Sequence, residues 1–356
     1  MLRYTLVLLL FVGLVSTSAF NPPKSLTSGG VSSFPVEMES SHLLPPSSLP
    51  TGGSSLSYTS LLEPATTVSL FLLWYALNVM YNIINKRVLN RLPHPISIST
   101  VQLLTGSMYY LATLLIRGKP KFPCPVHAPA KAIYASAFGH MAGQTATVIS
   151  LEAGAVSFTH IVKSLEPFFS AVFTFFSTRK LMDVRVYLSL IPVVGGVGLA
   201  CLDKLSYNHL AFLAAMSSNA FFAMRGVKSK YALDNTDLDA PNLFGVVTVL
   251  SAIMAIPFAI GFEGGALYSG LKGDFDLIKK VIISGLFHYL NNEVMYWTLS
   301  RVTPVTLAVG NTVKRVFIIA ASVIVLGNKV GTKSIVGSGV AISGVMLYSL
   351  AKMKYA

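Results

Sequence analysis

The sequence predicts an all-α membrane protein of ten transmembrane helices, arranged as two inverted five-helix repeats. Three observations predict it. Hydrophobic residues make up 53% of the 356-residue chain and charged residues only 12%, about half the charged share of ~25% usual in a soluble globular chain. Apolar stretches of about 18 residues or more follow one another almost back to back from Ala65 to Ala351, each long enough to cross a hydrocarbon core of roughly 30 Å. The two halves of this region also echo each other, each placing buried cations before a glycine-rich span.

The elements follow in order. Arg3 gives a positive start, Leu6–Val15 is an apolar run too short to span comfortably, and Thr17 and Ala19 are small residues ahead of Phe20; residues 1–19 therefore read as a signal peptide, with an uncleaved first helix as the alternative. Residues 20–64 are rich in Ser, Pro, Gly and Thr, cannot bury enough apolar surface to fold, and read as a disordered leader. The domain at 65–356 holds spans at about 66–86, 95–117, 131–151, 154–177, 184–202, 207–231, 241–262, 278–300, 304–326 and 332–351, separated at Pro, Gly and charge clusters. In the first half, Lys163 precedes IPVVGGVGLA at 191–200; in the second, Lys314-Arg315 precedes VGSGVAISGVM at 336–346. Repeats of about 65–202 and 203–356 contain five spans each. An odd number makes the halves inverted, with a binding site near the midplane where they meet.

The net charge of +13 does not indicate nucleic acid, because no basic stretch is interleaved with aromatic residues. Pairs such as Lys86-Arg87, Lys119/Lys121, Arg179-Lys180 and Lys279-Lys280 fall at span ends and in loops, where they read as contacts to membrane lipid headgroups. Counted in alternate loops, Lys and Arg favour neither side of the membrane. Cys124 sits in a loop and Cys201 in an apolar span, so a disulfide framework is not expected.

Charges inside a bilayer are informative, since each costs about 2.5–3.5 kcal/mol at mid-membrane. The spans hold Lys163, Glu166, Arg225, Glu293, Lys314 and Arg315. The positive surplus of that set suits a small, doubly charged anion such as a phosphate monoester. His160, Lys163, Glu166 and Pro167 share one helical face, which allows Lys163 and Glu166 to neutralise each other. Pro167 removes a backbone N–H and predicts a kink there. No acid lies within a turn of Lys314-Arg315, so this pair is the firmest candidate anion site, a point charge beside a rigid fork. His160 and His288 read more simply as interhelical hydrogen bonders. An intramembrane enzyme would need a nucleophile with its base, or a cluster for a metal. With Glu166 and Glu293 the only acids in the expected spans, the reading is of a non-enzyme without metal or cofactor.

Two resemblances sharpen this. Ser18-Ala19-Phe20 before a Ser/Pro-rich leader resembles the bipartite presequence of proteins imported through the ER into complex plastids. The stretches VSFTHIVKSLEPFFS at 156–170, FFAMRGVKSK at 221–230 and TPVTLAVGNTVKRVFIIAASVIVLGNK at 303–329 resemble the plastidic phosphate translocators of the drug/metabolite transporter superfamily, over residues 65–354. The resemblance implies an antiporter exchanging triose phosphate or 3-phosphoglycerate for inorganic phosphate across a plastid membrane. Lys163, Lys314 and Arg315 would hold the phosphate, Arg225 would be a basic residue of the cavity, and Thr147 would meet the carbon end. Gln144 stands where triose-phosphate carriers usually have His and Asn291 where Tyr is usual, which places both among the expected substrate-binding residues, with His160. A phosphoenolpyruvate or broader sugar-phosphate carrier is the alternative; Leu165 and Phe168 resemble the triose-phosphate and phosphoenolpyruvate classes more than the hexose-phosphate class. A nucleotide-sugar transporter shares the superfamily without this Lys-Arg pair.

Overall fold

The structure, a computed structural model, describes residues 58–117, 128–203, 207–299, 301–302, 304–328 and 330–355. The signal segment 1–19, most of the leader and Cys124 lie outside the described residues.

All regular secondary structure among the described residues is helical. In chain order the helices are α1 (Tyr58–Arg91), α2 (Pro95–Arg117), α3 (Ala128–Ala153), α4 (Val156–Val162), α5 (Glu166–Thr178), α6 (Val184–Leu188), α7 (Ile191–Cys201), α8 (His209–Asp234), α9 (Ala240–Leu271), α10 (Phe275–Leu299), α11 (Pro304–Leu326) and α12 (Thr332–Tyr355). A 3₁₀ turn, Lys163–Leu165, joins α4 to α5. Six helical segments are long and apolar enough to cross a membrane: α1, α6 with α7, α8, α9, α11 and α12. Large apolar side chains such as Leu115, Ile116 and Ile324 point outward, as a lipid-facing surface requires. These features define a helical membrane protein.

The expected kink at Pro167 is a change of helix type. The 3₁₀ turn tightens the chain at Lys163–Leu165, and α5 restarts with Pro167 in its first turn, where a missing N–H costs nothing. The expected span at 184–202 is similarly divided by Ser189 and Leu190 ahead of Pro192. Elsewhere helix starts are capped by side chains: the Asn208 carboxamide accepts from the Ala211 N–H at 3.0 Å, and the Asp274 carboxylate from the Leu277 N–H at 2.9 Å.

Two acids and one cation differ from the sequence reading because helices run further than hydropathy suggests. α9 continues past the expected end at 262, so Glu263 is buried and its carboxylate accepts from the Ser97 N–H at 2.8 Å at the start of α2. Glu152 likewise lies within α3. Lys86 is not a headgroup anchor; its ammonium donates to the carbonyls of Leu151 (2.7 Å), Glu152 (3.3 Å) and Gly154 (2.9 Å), closing the end of α3.

The most extensive packing is between α3 and α8, α7 and α12, α1 and α10, and α2 with both α9 and α10. Smaller contacts join α3 to α9, α5 to α8, α1 to α11 and α4 to α11. Small residues allow the closest approaches. The glycine-rich stretches of the two halves meet each other: a methyl group on Gly337 would fall 2.7 Å from the backbone nitrogen of Ala200, and one on Gly344 2.7 Å from that of Val193. Gly143 leaves just enough room for the ring of Phe222.

Candidate functional site

A cavity of about 130 Å³ lies within the bundle, lined from α1, α3, α4, the 3₁₀ turn, α5, α8, α10 and α11. Lys163, Lys314, Arg315, Arg225, Thr147, Gln144, Asn291 and His160 all line it. Val88, Leu89, Val148, Leu151, Val156 and Ile318, on helices that also line the cavity, form part of a buried apolar cluster.

Its charge is strongly one-sided. Lys163, Arg225, Lys314 and Arg315 face a single carboxylate, Glu166; Glu293 does not line the cavity, so the surplus is larger than the sequence suggests. Lys163 is buried, and its ammonium donates to the hydroxyls of Ser218 (2.7 Å) and Thr147 (3.1 Å) while lying 4.5 Å from the centre of the Phe222 ring. The Lys314 ammonium rests 4.3 Å over Trp74. Glu166 pairs with Arg315, at 2.7 Å, and not with Lys163 as the shared helical face implied. The Lys163 ammonium is taken up by Thr147 and Ser218, and Arg315 reaches the carboxylate from α11. The cation with a local acid is thus in the pair that seemed free of one.

The uncharged residues are wired to one another. Both amide hydrogens of Gln144 are used, on the Tyr81 hydroxyl (2.7 Å) and the Gln102 side-chain carbonyl (3.0 Å). Gln102 in turn donates to Asn85 (2.8 Å) and Ser284 (3.1 Å). Asn291 donates to the carbonyls of Phe287 and His288 and accepts from Asn78 at 2.9 Å. Asn82 donates to Asn78, and its own carbonyl meets Nε2 of His160 at 2.9 Å. The hydrogen-bonding role expected for His160 is met in this way.

His140, absent from the sequence reading, also lines the cavity. It is fully buried, its Nδ1 is 2.9 Å from Nη1 of Arg225, and its ring stacks on His288 at 5.7 Å and 17°. A signal existed in the sequence: His140, Gln144 and Thr147 fall at i, i+4 and i+7 on one face of α3. Among the described residues, no group of three or more His, Cys, Asp or Glu is placed to hold a metal ion.

Fold and site together define a polytopic carrier-like membrane protein with a basic internal cavity. The Triose-phosphate Transporter family profile matches residues 65–349, and the chain belongs to this family. The chain is 42% identical to the chloroplastic triose phosphate/phosphate translocator of Flaveria pringlei, over 80% of this chain and 71% of that protein. It is 40% identical to the translocator of the same name from Spinacia oleracea, over 85% and 77%. It is 36% identical to glucose-6-phosphate/phosphate translocator 1, chloroplastic, of Arabidopsis thaliana, over 80% and 74%. A solved crystal structure superimposes with a TM-score of 0.55 at 12% identity, covering 82% of this chain and 98% of the other; that likeness concerns the fold alone.

Proposed function

We propose that the protein is an antiporter exchanging triose phosphate or 3-phosphoglycerate for inorganic phosphate across a plastid membrane by alternating access. The observation that carries this reading is the cavity with four cations against one carboxylate. Lys163, Lys314 and Arg315 hold the phosphate. Thr147 sets Lys163 through the hydroxyl contact described above, and Arg225 faces the carbon end, which Gln144, Asn291 and His160 shape from behind. Without an anion the cations repel one another and resist the closed, dehydrated state that switching sides requires; a bound phosphate removes that repulsion. Counter-exchange follows, since the empty carrier returns slowly.

Ten spans in two inverted repeats, about 65–202 and 203–356, supply the moving parts. Treating α4 with α5, and α6 with α7, as single spans gives five per half. Exchanging each span for its counterpart in the other half turns the α3–α8 contact into α10–α1, α2–α10 into α9–α3, and α5–α8 into α11–α1, while α7–α12, α2–α9 and α4–α11 map onto themselves. All of these contacts occur, which supports the two-fold relation. A signal peptide at 1–19 and a transit-like leader at 20–64 deliver the chain through the ER to a complex plastid. The hexose-phosphate relative keeps a broader sugar-phosphate specificity, or one for phosphoenolpyruvate, as the second reading.

The test is phosphate counter-exchange in proteoliposomes holding the purified protein. Lys314→Ala and Arg315→Ala are expected to reduce it to the background of empty liposomes while both variants remain folded. Exchange at the wild-type rate by both would overturn the proposal.

A further inference from the structure

Lys314 and Arg315 are neighbours on α11, yet they are held in opposite ways. The Arg315 guanidinium is paired with the Glu166 carboxylate, which offsets its charge. The Lys314 ammonium lies 4.3 Å from the centre of the Trp74 ring, and among the described residues no hydrogen bond or ion pair holds it. A ring face attracts an ammonium through its quadrupole, and tryptophan does so best. The ring has no net charge, so the cation resting on it is steadied without being neutralised.

The packing of α11 on α1 sets this contact in register. Gly310 lies so close to Phe71 that a methyl group there would collide with the ring. One turn further along both helices Lys314 meets Trp74, and Phe317 follows against Tyr75 at 5.5 Å. Trp74 is fully buried, with Phe71 and Tyr75 at 6.1 and 5.9 Å between ring centres, so its indole has little room to turn away. A competing partner for Lys314 is near. Glu166 is the one carboxylate among the described residues lining the cavity, and a lysine stem is flexible. If Lys314 also settled on Glu166, one carboxylate would occupy both members of the Lys-Arg pair and leave less positive charge for a ligand.

We infer that Trp74 is a positioning residue for Lys314: its ring holds the ammonium away from Glu166 while the cavity is empty and yields it to the anion that binds. The ring is a partner that can be given up, because a hydrogen bond between two charged groups is the stronger contact. Trp74 acts through Lys314 and is not itself a ligand of the phosphate. This inference rests on the antiporter reading above and adds the residue that keeps one of its cations available.

The experiment is a double-mutant cycle read as the Km of inorganic phosphate in proteoliposome counter-exchange. Trp74→Leu is expected to raise that Km about tenfold, and Trp74→Phe, which keeps a ring face, about threefold. With Glu166→Gln as the background, no acid remains to capture Lys314, and Trp74→Leu should then raise the Km by about twofold or less. A tryptophan that only fills space would give the same rise in both backgrounds. That result, or an unchanged Km in Trp74→Leu, overturns the inference. If Trp74→Leu does not fold, fluorescence carries the test with the ring in place. Trp297 is the other tryptophan of the chain and does not line the cavity, so Trp297→Phe leaves Trp74 as the sole emitter. Lys314→Met in that protein should change its emission, and saturating phosphate should move the emission of the parent toward the same value. Emission that stays constant while calorimetry shows phosphate bound overturns the inference as well. A wild-type protein without phosphate–phosphate exchange would instead remove the antiporter reading, a different failure.

Discussion

Lys314 and Arg315 stand on α11 with Trp74 and Glu166 as their close partners, whereas Gln144 on α3 and Asn291 on α10 are tied into hydrogen bonds that cross four helices. The first wall is held by a ring face and one half-exposed carboxylate, the contacts that the proposed phosphate would have to displace. In the second wall, Gln144 and Asn291 spend both amide hydrogens within the protein. A carrier needs both. Its ligand must find loosely held charge to bind, and it must meet a rigid surface against which the wrong shape or polarity fails. The difference teaches that residues at neighbouring positions of one cavity can serve binding or framework, and that their own hydrogen bonds tell which.

Substitutions can break this comparison or sharpen it. The largest effect is expected for Arg315→Ala or Lys314→Ala, a loss of phosphate exchange of about 100-fold or more, since each removes a charge-assisted contact and its Coulomb attraction; a loss under about threefold would remove the contrast between the walls. Gln144→Leu leaves the Tyr81 hydroxyl and the Gln102 carbonyl without its donors and should destabilise the protein by about 1–3 kcal/mol, read as a lower midpoint of thermal unfolding in detergent. An undiminished midpoint would mean that this wall is not a framework. Glu166→Gln takes away the anion that competes for Arg315, so phosphate should bind about tenfold more tightly by titration calorimetry; weaker binding would assign the carboxylate to the substrate instead. Ser218→Ala frees one hydrogen bond of the Lys163 ammonium, and a rise in the phosphate Km of about threefold is expected from exchange kinetics.

Much of this was legible in the sequence because charge inside an apolar run is conspicuous. Lys163, Lys314, Arg315 and Arg225 could be picked out by type alone, and the structure brings all four to one cavity. What the sequence could not supply was wiring. The spacing of Lys163 and Glu166 implies a pair, but partners far away in the chain divide them, Thr147 and Ser218 taking the ammonium and Arg315 the carboxylate. Lys86 resembles any basic residue at a span end until the turn after α3 brings three carbonyls to it. His140 was passed over in the sequence, and what distinguishes it is its contact with Arg225 and His288, neighbours far away in the chain. Span ends were drawn too tightly at α9 because hydropathy stops at Glu263, although the helix does not.

The seam between α7 and α12 bears on how such a molecule could move. Where Gly337 lies on Ala200 and Gly344 on Val193, backbone meets backbone with no side chain between. Side chains that interlock can settle into a second register; bare backbones at this distance have only one. If the proposed repeats rock against each other, this close contact would act as a pivot joining them. A wedge of one methyl group in the seam would therefore be felt across the whole bundle, not only at the spot where it was inserted.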